Sequence, residues 1–383
     1  MKKRILFINN SLHGGGAERI LQTILNNLDP QKYDLTLYSL HKEELDSNYP
    51  QHIKYKYIFE HSSNTDSFLK RFWLLLKNKI KITIYNYFPA SIFYNLFIAG
   101  KYDTEIAFLE GYSTKIISGS TNIKSRKIAW VHTDLILNHW TKIAFKNQKE
   151  EKECYNKFNN VLCVSDSVRS SFIKLFNDSS NVNVCYNPIN DQRIKELANQ
   201  PCNFNKWLDS ELAIVTMGRL VEEKGYDRLL PIVYKLKKEG FQFTLNILGE
   251  GKERNLLESY IKDHHLEDTV SLIGYCENPY PFLKKGDLFV CSSRSEGYST
   301  VIAEALILGI PVITTECAGM KELLDNGKYG IITENSEEKL YYGLKKLLED
   351  KNQISEYKKL AETRGKYFSL ENLMKPINVL LSN

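Results

Sequence analysis

The chain of 383 residues has no apolar run approaching the about 18 residues that a transmembrane helix needs, so none is expected. Its start is basic, Lys2-Lys3-Arg4, but only four apolar residues follow, which is too short for a signal peptide. Cysteine is sparse. The seven residues Cys154, Cys163, Cys185, Cys202, Cys276, Cys291 and Cys317 include no C-x-x-C pair, and several lie in apolar runs. That excludes a disulfide framework and reads as reduced, buried thiols of a cytosolic protein. With 43% apolar and 25% charged residues, the composition excludes collagen, coiled coil and disorder. The net charge of +5 is too weak to argue for nucleic acid as a partner.

Several chemical signatures are also missing. There is no G-x-x-x-x-G-K-[ST] phosphate loop and no G-x-S-x-G nucleophile elbow. Gly14-Gly15-Gly16 and Gly249-Glu250-Gly251 both lack the third glycine of a dinucleotide fingerprint. No two aspartates stand two residues apart, and the eight histidines show no metal-ligand spacing, so no metal is expected. No short repeat or low-complexity tract is evident.

What is present is alternation of strand and helix. Apolar runs predict strands at Arg4–Asn9, Asp34–Leu40, Thr104–Leu109, Lys127–His132, Asn160–Ser165 and Val182–Tyr186, with helical stretches between most of them. Asn187-Pro188-Ile189-Asn190 interrupts this rhythm. It restarts with strands at Leu212–Met217, Phe243–Leu248, Val270–Ile273, Leu288–Ser292 and Ile310–Thr314. Such alternation means parallel sheets covered on both faces. The reading is therefore α/β with two Rossmann-like halves, residues 1–187 and 188–365. A final amphipathic helix, about 366–383, is expected to pack back on the first half and to be kinked at Pro376.

Charge is unevenly shared. Residues 1–187 carry 25 basic and 17 acidic side chains, and residues 188–383 carry 26 and 29. Residues 67–102 contain six basic side chains, no acidic one and ten aromatics. Lys70, Arg71, Trp73, Lys77, Lys79 and Lys81 in this segment suit an anionic membrane surface. Helices packed on the sheet with a solvated basic edge would look the same.

Two pieces of the second half fall at the carboxyl ends of strands, where open α/β sheets bind ligands. In Gly218-Arg219-Leu220-Val221-Glu222-Glu223-Lys224-Gly225, two cations beside a helix start suit a diphosphate, with forked donors from Arg219 and a point charge from Lys224. A solvated basic loop is the plainer alternative. In the second piece, Glu296 lies on a loop and Glu304 eight residues on, within a helix. The free N–H groups of Tyr298, Ser299 and Thr300 form an anion site, and Glu304 can accept two hydroxyls of a ribose. A helix acid favouring the dipole and a glutamate on a wet face are the alternatives. A third piece, Trp130-Val131-His132, puts an imidazole at a strand end in the first half, or simply a satisfied histidine.

These pieces, taken in order, carry a resemblance. Gly14-Gly15-Gly16-Ala17-Glu18-Arg19, Trp130-Val131-His132, Val164-Ser165-Asp166-Ser167, Asn187-Pro188-Ile189, Met217-Gly218-Arg219 with Lys224-Gly225, Ile247-Leu248-Gly249-Glu250-Gly251, Ile273-Gly274-Tyr275, and Glu296/Glu304 followed by Gly309-Ile310-Pro311-Val312 resemble the family-four retaining glycosyltransferases. These form part of glycosyltransferase group 1. The resemblance spans nearly the whole chain and implies the GT-B architecture, two Rossmann-like domains facing across a cleft. The first would bind acceptor and the second a nucleotide-sugar.

By the same resemblance, Arg219 and Lys224 would hold the diphosphate, Glu304 the ribose, and Glu296 hydroxyls of the transferred sugar. Tyr298, Ser299 and Thr300 would offer backbone contacts to the distal phosphate, and Ile273 and Tyr275 would flank the base. Gly16 and Gly218 would allow close backbone approach, and His132 would contact the sugar. The leaving diphosphate gains roughly one negative charge, which preorganised cations and N–H groups favour. Neither metal nor cofactor is required. Glu296 as a covalent nucleophile, as in retaining hydrolases, is the competing role. Ser299-Thr300 departs from the glycine and bulky apolar residue frequent there. The expected enzyme is a hexosyltransferase, more plausibly UDP- than GDP-dependent. It would be peripheral on the inner membrane face and act on a lipid-linked saccharide in capsule, O-antigen or exopolysaccharide synthesis. A nucleotide-sugar epimerase or a non-catalytic nucleotide-sugar-binding protein of the same fold is the alternative.

Overall fold

The computed structural model describes residues 2–13, 15–45, 47–62 and 67–382. Gly14, part of the first glycine cluster, lies outside them. The chain forms two units, Met1–Tyr186 with Met374–Asn383, and Asn187–Leu373.

The first unit is built on a seven-stranded sheet. Its strands are β1 (Lys3–Asn9), β2 (Tyr33–His41), β3 (Lys54–Phe59), β4 (Thr104–Ala107), β5 (Arg126–Val131), β6 (Asn160–Cys163) and β7 (Val182–Val184). They run in the order β3-β2-β1-β4-β5-β6-β7, with every pairing parallel. Ile5 to Ile8 are wholly buried because helices cover both faces of the central strand. One of these, Gly16–Asn27, buries Ile20, Leu21, Ile24 and Leu25 along a single stripe. Strand β3 was not expected. Its alternating lysines and tyrosines suit an edge, where one side stays in water.

The second unit carries six strands in the order β10-β9-β8-β11-β12-β13. These are β8 (Ala213–Met217), β9 (Thr244–Leu248), β10 (Val270–Gly274), β11 (Leu288–Cys291), β12 (Val312–Thr315) and β13 (Ile331–Thr333). Their pairings are likewise parallel. The core gathers Leu230, Leu236, Leu245, Ile247, Val290 and Ile313. Strand β13, only three residues at an edge, also escaped the sequence reading. In both sheets the order of strand addition reverses once, between β1 and β4 and between β8 and β11.

The closing helix spans Leu370–Ser382 and continues through Pro376. The proline forfeits one backbone hydrogen bond, and burial of Leu373, Met374, Ile377 and Leu381 holds the helix in place. Its last carbonyls are satisfied by the first unit. Lys3 Nζ donates to Leu381 O at 2.8 Å and Arg126 Nη1 to Leu380 O at 2.7 Å.

Helix Phe68–Tyr87 is inverted relative to an ordinary surface helix, since Tyr85 is its only buried residue. Leu69, Phe72, Trp73, Leu76 and Ile80 recur at helical spacing and all are exposed. Lys70, Lys77 and Lys79 are exposed on the same helix, and Arg71 is half-buried. Lys81 does not belong to an outward basic face. Its ammonium donates to Ile58 O and lies over the Phe59 and Phe97 rings, and burial pulls its pKa down. Among the described residues no helix is long and apolar enough to cross a membrane.

Candidate functional site

In the second unit the residues singled out from sequence converge on the reversal point between β8 and β11. Open α/β sheets leave a crevice at such a point because successive loops turn to opposite faces. After β8 the chain passes Gly218 and a single turn, Glu222–Lys224, before the helix Tyr226–Lys238. After β11 it passes Ser292–Ser299 before the helix Thr300–Ile307. Lys224 Nζ donates to Glu296 Oε1 at 2.5 Å, and Ser293 Oγ donates to the same oxygen at 2.6 Å. Burial pulls the Lys224 pKa down, but the Glu296 carboxylate more than offsets it and the net shift is upward. Lys224 therefore stays cationic.

The two loops are bolted together by backbone. Gly225 has φ +66°, and a Cβ there would lie 2.2 Å from Ser292 O. Ser292 Oγ donates to Lys224 O at 2.9 Å, and Arg294 N to Glu223 O at 2.7 Å. Arg294 also grips Asp227 with both terminal nitrogens, at 2.6 and 2.7 Å. Beneath the loops Arg228 is buried. It donates to Ser292 O at 2.9 Å and, through Nη2, to Ser293 O and Asn335 Oδ1 at 2.7 Å. Arg228, Ser293 and Arg294 were not singled out from sequence. Nothing local distinguishes them, because their partners come from distant elements.

Glu304 is buried on helix Thr300–Ile307 and accepts from Tyr280 Oη at 3.4 Å. Ser299 is the N-cap residue of that helix. Its hydroxyl is buried and makes no hydrogen bond among the described residues, so no side chain caps the first turn. Tyr298 is buried, which leaves its backbone as the part able to meet an anion. Arg219 is exposed. It lies near enough to Lys224 for its like charge to push that pKa down. Gly218 and Gly249 approach so closely that a Cβ at Gly249 would lie 1.9 Å from Gly218 O. Ile273 is buried at the end of β10, and Tyr275, just beyond it, is 70% exposed. Neither makes a hydrogen bond to the Lys224–Glu296 pair.

In the first unit the corresponding edge lies at β1 and β4. Gly16 opens its helix directly after Gly15, where a Cβ would lie 2.3 Å from Glu18 Oε2. Ser11 Oγ donates to Glu18 Oε1 at 2.7 Å, and Ser113 Oγ to Asn10 Oδ1 at 3.0 Å. His132 follows β5 with its ring centroid 5.0 Å from Phe108 and 6.2 Å from Trp130. Burial pushes its pKa down. The Glu110 carboxylate and a hydrogen bond to the Phe108 backbone oppose this without cancelling it, so the imidazole is neutral near pH 7. Its Nε2 is buried with no partner among the described residues.

The expected absence of a short repeat is corrected by the sequence itself. Glu-Gly-Tyr-Ser-Thr occurs at residues 110–114 and again at 296–300. Each copy follows the strand just past the reversal point of its sheet. A search for identical pentapeptides would have found Glu110. Among the described residues no group of three or more His, Cys, Asp or Glu side chains could hold a metal ion.

Comparison with known proteins agrees with this architecture. The family described as glycosyl transferases group 1 matches residues 203–364. Over 378 residues, 96% of each chain, the protein is 28% identical to the N-acetylgalactosamine-N,N'-diacetylbacillosaminyl-diphospho-undecaprenol 4-alpha-N-acetylgalactosaminyltransferase of Campylobacter jejuni. It is 23% identical over 344 residues, 88% of each chain, to the amylovoran biosynthesis glycosyltransferase AmsD of Erwinia amylovora. Anabaena HepE, solved in complex with UDP and glucose, superposes with a TM-score of 0.74 at 19% identity over 99% of both chains. Sucrose-phosphate synthase from Thermosynechococcus elongatus gives 0.76 at 14% identity, over 100% of this chain and 98% of that one. The fold is GT-B, and the protein is a glycosyltransferase of the hexosyl-transferring class. The match to the glycosyl transferases group 1 family lies within the second unit.

Proposed function

We propose that this glycosyltransferase moves a hexose from a nucleotide-sugar, UDP-linked rather than GDP-linked, to a lipid-linked saccharide in the synthesis of a bacterial surface polysaccharide. The observation that carries the donor half is the Lys224–Glu296 pair at the reversal point between β8 and β11. A cation and a carboxylate held there suit the diphosphate and the sugar hydroxyls of one donor. The UDP bound to HepE supports the choice of nucleotide. The diphospho-undecaprenol in the name of the Campylobacter relative supports the lipid-linked acceptor.

In this reading the bond between the anomeric carbon and the distal phosphate oxygen breaks as an acceptor hydroxyl bonds to that carbon. The hydroxyl proton passes to the departing phosphate, and configuration is retained by attack on the same face. Lys224, Arg219 and the N–H groups of Tyr298, Ser299 and Thr300 stabilise the departing charge, so the step needs no metal. Glu304 holds the ribose, Ile273 and Tyr275 flank the base, and Gly16 and Gly218 admit the substrates to the backbone. His132 is assigned to the transferred sugar. The exposed apolar stripe of Phe68–Tyr87, flanked by Lys70 and Lys77, suits the surface of an anionic membrane and would keep the enzyme beside its lipid acceptor.

A panel of UDP- and GDP-sugars tests this by thermal shift with and without EDTA, followed by donor hydrolysis. A ligand of the native state raises the melting temperature. A shift with a UDP-sugar that survives EDTA is the expected result. No shift with any nucleotide-sugar overturns the donor assignment, and a shift abolished by EDTA overturns metal independence.

A further inference from the structure

The two copies of Glu-Gly-Tyr-Ser-Thr occupy equivalent places in the two sheets, yet their carboxylates meet different surroundings. Glu296 faces Lys224. Glu110 is wholly buried, and among the described residues no lysine is paired with it. Its Oε2 accepts the backbone N–H of His132 at 2.9 Å, and its Oε1 accepts the indole N–H of Trp140 at 3.2 Å. Gly111 makes this possible. It sits at φ +88°, and a Cβ there would lie 3.2 Å from the Trp140 ring. Both neighbours of Trp140 are fixed by one further carboxylate, since Thr141 Oγ1 donates to Glu151 Oε1 at 2.6 Å and His139 Nε2 lies 2.8 Å from Glu151 Oε2.

We infer that Glu110 is a positioning residue of the transfer reaction, joining the backbone of His132 and the indole of Trp140 into one preorganised group at the carboxyl edge of the first sheet. This rests on the assignment of His132 to the transferred sugar. A buried carboxylate that accepts from two elements restrains both, and losing either contact would leave an unsatisfied polar atom away from water. Its negative charge also tunes the imidazole. Phe108 and Trp130 cover the His132 ring, and Glu110 is the ionisable side chain whose charge acts on it. Withdrawing that charge favours the neutral ring further. Nε2, which has no partner among the described residues, is the nitrogen left to meet a sugar hydroxyl.

The test is Glu110→Gln in the full chain, which keeps the volume and removes the charge. The expected result is a His132 titration midpoint, read by NMR of the ring protons, moved to lower pH, and a Trp140 indole N–H resonance moved upfield. Turnover of a UDP-sugar falls about ten-fold, while the dissociation constant for UDP stays within about two-fold. A merely structural role would lower UDP binding and turnover together and leave the His132 midpoint where it was; that pattern overturns the inference. Should Glu110→Gln fail to fold, Glu110→Asp keeps the charge but withdraws it by one methylene. It should disturb the Trp140 resonance and slow turnover while retaining the His132 midpoint, and an undisturbed resonance with full turnover overturns the inference. A wild-type chain that binds no UDP overturns the donor assignment instead, and the two NMR readings still decide the role of Glu110.

Discussion

Lys224 and Glu296 lie 72 residues apart in the chain and meet at 2.5 Å. The contact exists because the Ser292 hydroxyl and the Arg294 backbone N–H clamp the loops after β8 and β11 to each other, with Ser293 sharing the same carboxylate oxygen. The pair is mostly but not fully buried, with side-chain exposures of 22% and 11%, so neither charge is cheaply left alone.

Glu296→Gln should therefore leave UDP binding within about three-fold while cutting transfer on the order of a hundred-fold, if the carboxylate acts on sugar hydroxyls in the transition state. Calorimetry with UDP and a transfer assay decide this. Unchanged transfer would falsify the role given to Glu296.

Gly225→Ala introduces a Cβ only 2.2 Å from Ser292 O at a left-handed backbone position. The expected loss of stability is about 2 kcal/mol, together with weaker UDP binding as Lys224 is displaced. Gly240→Ala is the control. It has φ +90°, but nothing lies within 4 Å of the added carbon, so it should show the backbone cost without the binding defect. Urea melts and UDP titrations of both variants check the pair.

Replacing Trp73 and Leu76 by serine removes part of the exposed stripe on Phe68–Tyr87 while leaving the buried Tyr85 in place. Binding to vesicles containing phosphatidylglycerol should fall several-fold, and the wild-type binding should itself weaken with salt. Hydrolysis of a soluble nucleotide-sugar should be unaffected. Co-sedimentation measures the first effects, and vesicle binding equal to wild type would remove the membrane surface from the list of partners.

The pH dependence of stability has a definite sign. Burial, first of all, lowers the pKa of both His132 and His41, and the neighbouring His61 lowers His41 further. Below the ordinary histidine value of about 6.5 the unfolded chain takes up protons that the folded chain refuses, so stability falls as pH drops through that region. Buried Glu105, whose pKa is raised, works in the opposite direction at lower pH because the folded state then binds its proton first. Melting temperatures from pH 7.5 to 5.5 should decline for wild type and decline less for His41→Asn. An equal slope in the two proteins would assign the effect elsewhere.

The central strands and the site loops of the second unit could be read from sequence because each is a local signal, an apolar run ending in glycine and charge. The short or amphipathic edges β3 and β13 could not, since Lys54–Phe59 and Ile331–Thr333 acquire strand character only from a neighbour. Lys224 and Glu296 were both named, but their pairing was not, because it depends on the β8–β11 adjacency. Lys81 was misplaced for the opposite reason. Its charge is visible in the sequence, whereas the Ile58 carbonyl and two rings that engage it are not. Arg228 looks like any helix arginine until the strand ends above it are in place.

The closing helix gives the polypeptide a particular order of completion. Residues from Met374 onward belong to the first unit, and they supply the carbonyls that Lys3 and Arg126 bind. During synthesis the first sheet therefore gains these partners only after residues 187–373 have been made. A chain cut before residue 374 would strip the first unit of both carbonyls, leaving Arg126, among the described residues, its contact with Asn160 alone, a state that quality-control proteases could distinguish from the intact unit.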